Sequence, residues 1–494
     1  MITKYSILFL YFAILFLIGY FASKKIKDTK DYYVGGKKLG FWVVAFSARA
    51  TGESAWLLLG LTGLGAMVGV SAFWAVFGEI IGVIISWFLM AERFKELSDK
   101  YRSITIPDYL VSRFKSRSNT LRIVAATALS LFVVIYVSAQ IDATGSAFES
   151  FLGWDYFTGA IVGFIIVLAY VFTGGFVAVA WSDLFQGLVM LLGLILLPIV
   201  AYFSISSNVS ISEELTKLDP SFLSIWGGGE FTLLDFFTIL GFLSIGIGFM
   251  GSPQLFVRFM SIKDTAEIKK GRWVAIVFTL LTDSCAVLIG VYGRYLLTSI
   301  GQDPETILGN GAQNVLPLLV EHIMPLTLVG IYIAAVLSAI MSTIDSLLVV
   351  ASSAISRDFY QQIFKPKKTE KELAKISKII TLILALLALM IAMIVAITIP
   401  GRTIFWFVIF GWSGIAATFC PTMILSLSWE KFNEKGAIAS MITGFLSVPL
   451  FKFVFTNLEG VGEYFEKLGE LAPSFLLALI VGIIVSFTTS RKSF

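Results

Sequence analysis

Three hydroxyls and one small residue share a single helical face of this chain: Ala339, Ser342, Thr343 and Ser346, at the i, i+3, i+4, i+7 spacing. Hard cations take oxygen ligands, and hydroxyls supply them with little fixed charge. The same pattern also serves close helix packing in lipid, and spacing alone weighs the two equally. Asp345 lies at the margin of the face. A cation site there needs carbonyl oxygens to complete it. One source is a charged, small-residue patch inside an apolar run, Ser47-Ala48-Arg49-Ala50-Thr51-Gly52-Glu53-Ser54, where a break at Ala50 to Glu53 would free backbone oxygens. A second interruption is Gly246-Ile247-Gly248-Phe249-Met250-Gly251-Ser252-Pro253, whose glycines and proline disfavour a continuous helix.

The elements that carry these residues are apolar and long. The chain has 494 residues, 57% hydrophobic and 14% charged, with mean hydropathy +0.88. Runs of about 20 apolar residues match the thickness of a bilayer. Thirteen spans are expected, at 5–22, 41–66, 70–90, 123–147, 157–173, 183–205, 234–256, 273–296, 325–350, 378–398, 403–426, 437–456 and 473–489. The first is read as a retained span, since lysines follow rather than precede it. With the N-terminus outside and the C-terminus inside, most of the 37 Lys and Arg residues fall in the inside loops 23–40, 91–122, 257–272, 357–378 and 427–436 and the Arg491-Lys492 tail. The basic loops are orientation signals and call for no nucleic-acid partner. The longer loops 91–122, 206–233 and 297–324 are short enough to be lids or re-entrant caps.

Six acids stand at membrane depth, Glu53, Glu79, Asp142, Asp183, Asp283 and Asp345, against a single base, Arg49. An acidic excess along a buried route suits a cation. The alternatives are plain. Asp142 and Asp283 are expected near span ends, in water. Arg49 and Glu53 are one turn apart and could form a structural ion pair. Glu79 has no near partner in sequence and is equally a contact for a solute. Cys285 and Cys420 are expected to be buried free thiols, and His322 a solvated loop residue.

The two interrupted spans, second and seventh, lie five apart and run in opposite directions. That is the mark of inverted five-helix repeats with a site at their crossing. The chain resembles the sodium/solute symporter family, most closely its bacterial sodium/proline branch. The matching stretches are Ser54-Ala55-Trp56-Leu57-Leu58-Leu59-Gly60-Leu61 with Gly63, Gly174-Gly175-Phe176-Val177-Ala178-Val179-Ala180-Trp181-Ser182-Asp183, Gly251-Ser252-Pro253 with Val257-Arg258-Phe259-Met260, and Met341-Ser342-Thr343. The likeness runs over about residues 5–450.

The resemblance implies an all-α membrane protein of the leucine-transporter type. The divisions are an extra N-terminal helix and loop (1–40), a first repeat (41–205), a second repeat (234–426) and two C-terminal helices (437–494). It implies sodium held by the carbonyls of Ala50, Glu53 and Ala339 and the hydroxyls of Ser342 and Thr343. A second sodium would use Asp183, Asp345 and Ser346. The solute would dock near Arg49, Ser54, Glu79, Phe249 and Pro253. The departures bear on the solute: the proline branch has an aspartate at the position of Gly52, has large aromatics where this chain has Ile245 and Phe249, and lacks a counterpart of Glu79, whereas sugar-carrying relatives place a glutamate on that helix.

The expected function is sodium-coupled import of a small solute, proline or a related amino acid first, a sugar, polyol or carboxylate second. The expected location is a bacterial inner membrane, with no obligate protein partner. A channel would need a filter and a continuous polar stripe. A transporter-like sensor would need a signalling module, and only Arg491 to Phe494 follow the last span. An enzyme would need a histidine cluster, metal-ligand spacing or a nucleophile–base pair, and none is discernible.

Overall fold

In a computed structural model the chain is described over residues 2–24, 28–205, 210–364 and 368–490; the Arg491-Lys492 tail lies outside them. The described residues are helical apart from turns, loops and one isolated bridge. Among the described residues, eleven helices are long and apolar enough to cross a membrane.

The helices that build the domain are numbered here as α1 (Ile2–Ser23), α2 (Phe41–Ala55), α3 (Thr62–Val68), α4 (Phe73–Ile85), α5 (Thr120–Leu152), α6 (Tyr156–Ser204), α7 (Leu233–Ser244), α8 (Pro253–Ser261), α9 (Thr265–Leu297), α10 (Leu326–Ser353), α11 (Glu370–Thr398), α12 (Ile404–Ser428), α13 (Glu434–Phe453) and α14 (Leu471–Ser490). The apolar stretch Phe41–Lys100 is folded back on itself at Gly69, whose φ of +62° suits a residue without a Cβ. The long α6 is broken at Gly175, φ +51°.

At the centre stands α10. Every residue from Tyr332 to Ala354 is buried, so this helix is enclosed on all sides. It packs on α1, α2, α5 and α6. On the rim, α11 exposes Ile379, Ile383, Leu386, Met390, Ile394 and Ile397. Their spacing of three and four residues forms one apolar stripe, the face a membrane helix turns to lipid. The first helix is held inward by Tyr11, whose hydroxyl accepts from Ser338 Oγ at 3.0 Å and Gln186 Nε2 at 3.2 Å.

Both interruptions are present. The break in the first lies at Ser54 (φ +49°, ψ −167°), just beyond the expected Ala50–Glu53. The Ala55 N–H freed there donates to Gln140 Oε1 at 3.0 Å, and wide, π-helical turns follow over Trp56–Leu61. The second interruption tightens to 3₁₀ turns over Ile245–Met250, and Pro253 restarts the helix at its first turn.

Glycines set how closely these parts approach. A Cβ on Gly82 would lie 2.0 Å from the Gly246 carbonyl oxygen, and one on Gly246 would lie 1.8 Å from that of Gly78. So α4 meets the 3₁₀ segment backbone to backbone, which carries Glu79 beside both breaks. A further contact joins the start of α2 to the end of α8. Leu39 N–H donates to Ser261 O at 3.2 Å, and Lys263 N–H donates to Leu39 O at 2.9 Å.

Four expectations change. Asp142 is buried rather than solvated: it lies inside α5, and Arg402 pairs with it there. Asp283 is buried in mid-helix on α9. His322 is exposed as expected but sits in the helix Val315–Ile323 rather than a loop. Cys285 and Cys420 are both free thiols as expected, but only Cys420 is buried, Cys285 being half-buried.

Candidate functional site

The hydroxyl face of α10 lies against the backbone of α2. Ser342 Oγ donates to the carbonyl oxygens of Ala50 at 2.9 Å and Ala339 at 3.1 Å. Thr343 Oγ1 donates to those of Thr51 at 3.1 Å and Ala339 at 3.0 Å. Two hydroxyls and three carbonyls from two helices thus converge in a fully buried place. Such an oxygen set suits a small hard cation, because rotating the two hydroxyl protons away turns every member into an acceptor. Of the residues singled out in sequence, Ala50, Ala339, Ser342 and Thr343 come together. The Glu53 carbonyl instead accepts from the Trp56 N–H. The Thr51 carbonyl, inside the stretch Ala50–Glu53 expected to offer backbone oxygens, joins the set.

Beside this lies a second polar cluster. Arg258, counted from sequence among the inside-loop bases, is completely buried. It lies on α8, behind the second break, where the helix turns inward. Its guanidinium donates to Asp183 Oδ2 at 3.1 Å, Thr51 Oγ1 at 2.8 Å and Ser47 Oγ at 3.1 Å, and also to Ser346 Oγ. Ser346 in turn donates to Asp345 Oδ1 at 3.2 Å. Arg258 is thus, among the described residues, a second fully buried guanidinium beside Arg49. A sodium at Asp183, Asp345 and Ser346 would have to share Asp183 with Arg258.

Beyond the break at Ser54 a third cluster gathers. Arg49 pairs with both Glu53 and Glu79. Its guanidinium lies 4.7 Å from the centre of the Phe249 ring. Gly52 makes room for that ring, since a Cβ there would come within 2.7 Å of it. Phe249 packs on Trp412, centroids 5.0 Å apart, and the Trp412 indole donates to the Ile245 carbonyl at 2.9 Å. Tyr136 donates to Ser54 Oγ at 3.2 Å. Of the residues expected at a solute site, Arg49, Glu79 and Phe249 come together, Ser54 is the first break itself, and Pro253 starts the helix after the second. Asp283, Tyr136, Gln140 and Trp412 were not foreseen there. A narrow cavity lined by Ala48, Arg49, Val83, Trp87, Phe249 and Phe259 adjoins them.

Two broken helices, a cluster of oxygens between α2 and α10 and a charged cluster beside it are the parts of an ion-coupled carrier. The family model for "Sodium:solute symporter family" matches residues 32–444. The chain belongs to the sodium:solute symporter family. This symporter is 35% identical to the "Osmoregulated proline transporter OpuE" of Bacillus subtilis, over 98% of this chain and 94% of the relative. It is also 35% identical to the "High-affinity proline transporter PutP" of the same organism, over 97% and 96%. With the "Sodium/proline symporter" of Staphylococcus aureus it shares 32% identity over 99% and 93%. Among solved structures, a Na⁺-coupled sialic acid symporter superposes with a TM-score of 0.77 at 19% identity, covering 98% of each chain. That likeness is one of fold. The chain is accordingly a multi-pass integral membrane protein, a secondary transporter rather than an enzyme, with sodium as its coupling ion.

Proposed function

We propose that the symporter imports proline or a related small amino acid across a bacterial inner membrane. It would do so through thirteen spans with the N-terminus outside and the C-terminus inside. Its two inverted repeats would be 41–205 and 234–426, flanked by the helix and loop of 1–40 and the two helices of 437–494. The observation that carries the solute is near full-length likeness to relatives named for proline. Sodium would be held by Ala50, Thr51, Ala339, Ser342 and Thr343, and the solute by the chamber of Arg49, Ser54, Glu79, Phe249 and Pro253. Sodium bound between α2 and α10 would tie the first repeat to the second and favour the state in which the chamber is formed. Each ligand must then raise the other's affinity by the same factor. Half-helix ends at the two breaks would supply partial charges for the solute's polar groups.

A second reading, a sugar or polyol, is favoured by Glu79, a buried carboxylate able to accept from a hydroxyl. The test is uptake by proteoliposomes under an inward sodium gradient. Concentrative uptake of labelled proline, abolished when sodium is replaced by choline, is the expected result. Sodium-driven uptake of a sugar but not of proline would select the second reading.

A further inference from the structure

Three carboxylates meet around one guanidinium in the chamber between the breaks. Glu53 comes from α2, Glu79 from α4 and Asp283 from α9, and each is 0% exposed. An oxygen from each lies within 4.8 Å of the other two. Arg49 engages one oxygen of Glu53 and one of Glu79. Thr282 Oγ1 donates to Asp283 Oδ1 at 3.0 Å. Beyond these contacts, Glu53 Oε2, Glu79 Oε2, Asp283 Oδ2 and Arg49 Nε have no hydrogen-bond partner in the protein, although all are buried. A buried charge without a partner is costly, and one guanidinium cannot offset three carboxylates. The α10 hydroxyls are engaged elsewhere, on the α2 and Ala339 carbonyls, and Arg258 is committed to Asp183. With all three carboxyls ionised, the cluster would carry a net negative charge that only positive charge from outside the chain could balance.

We propose that this triangle receives a protonated amine of the transported solute, so that the solute class is an amine-bearing molecule. The inference rests on the symport reading above and sharpens it. A protonated amine offers up to three N–H donors, which matches three unpartnered acceptors from three helices. A sugar brings no charge, and a carboxylate without an amine brings the wrong sign. Proline fits through its ring nitrogen, which offers two N–H donors and the positive charge, and a primary amino acid offers all three. Arg49, already stacked on Phe249, stands ready to face the carboxylate of a zwitterion once the amine has taken its partners.

The test uses the full chain in proteoliposomes with an inward sodium gradient. The probes are L-proline, L-lysine, N-acetyl-L-proline, glucose and lactate. Uptake of proline, lysine or both, with the N-acetylated compound neither taken up nor competing, is expected. Asp283→Asn and Glu79→Gln should each raise the half-saturating amine concentration at least tenfold. Half-saturating sodium should stay within twofold, and Asp283→Glu should recover most of the affinity. Thermal stabilisation by sodium, kept in the variants, shows that they are folded. Sodium-driven uptake of glucose or lactate, or equal affinity for the N-acetylated compound, would overturn the assignment. So would an Asp283→Asn protein with unchanged amine affinity and altered charge moved per solute, because the triangle would then hold an inorganic cation. Uptake of lysine without proline would remove the proline reading and leave this one standing. Absence of sodium-driven uptake of every probe would remove both.

Discussion

Ser342 on α10 reaches the Ala50 carbonyl oxygen on α2 at 2.9 Å, one turn before the chain breaks at Ser54. The contact joins two helices 292 residues apart in sequence and places a rotatable hydroxyl beside a fixed carbonyl. Replacing Ser342 or Thr343 by Ala removes one oxygen from the set. Half-saturating sodium in an uptake assay should rise by about tenfold, the equivalent of roughly 1.4 kcal/mol. A variant with unmoved sodium dependence would place the ion elsewhere.

Arg258 and Asp183 form an ion pair with both side chains fully buried. Arg258→Ala leaves the carboxylate without its charge partner, at a cost of about 3–5 kcal/mol. The thermal unfolding midpoint in detergent should fall markedly. The double variant Arg258→Ala with Asp183→Ala should recover part of that loss in a double-mutant cycle.

The same pair bears on stoichiometry. With Arg258 donating to Asp183, Thr51 and Ser346, the cluster already carries a resident positive charge. One sodium per solute is the expected flux ratio, measured by parallel labelled-sodium and labelled-solute uptake. A ratio of two, falling to one in Asp345→Asn, would show a second ion there.

Gly82 and Gly246 leave no room for a methyl group, since each added Cβ would strike the other segment's backbone. Gly246→Ala should destabilise by about 1–3 kcal/mol, as overpacking does. It should also displace α4, so affinity for the solute should drop more than affinity for sodium. Equal losses in both would mean that the crossing serves stability alone.

Moving one sodium charge inward contributes about 2.3 kcal/mol per 100 mV. Imposing an inside-negative potassium diffusion potential of that size should raise solute accumulation by up to about 50-fold. An uptake level indifferent to potential would point to compensating charge movement.

Much of this was legible in the chain. Ala339, Ser342 and Thr343 share a face through simple helical period, and a Gly- and Pro-rich run marks the second break. Other features were not. The Arg49–Glu79 pair spans 30 residues across a turn, so sequence proximity gave it no partner. Arg258 sits next to a lysine-rich loop and was counted with it; only the turn of α8 back into the bundle separates them. Asp283 falls mid-helix because α9 runs as an unbroken helix from Thr265 to Leu297, starting well before the apolar run at 273–296. Within Ala50–Glu53, no pattern of side chains singles out the Thr51 backbone oxygen.

The paired bonds of Leu39 with Ser261 and Lys263 stitch the beginning of α2 to the end of α8. Each interrupted helix is thereby yoked to the other at one extremity, while the contacts with α10 and α6 are made by side chains. A lever fixed at one end swings about that end. Opening and closing should therefore turn the two half-helices together about this shared pivot, with the sodium oxygens and the Arg258 contacts to Asp183 and Ser346 as the surfaces that part.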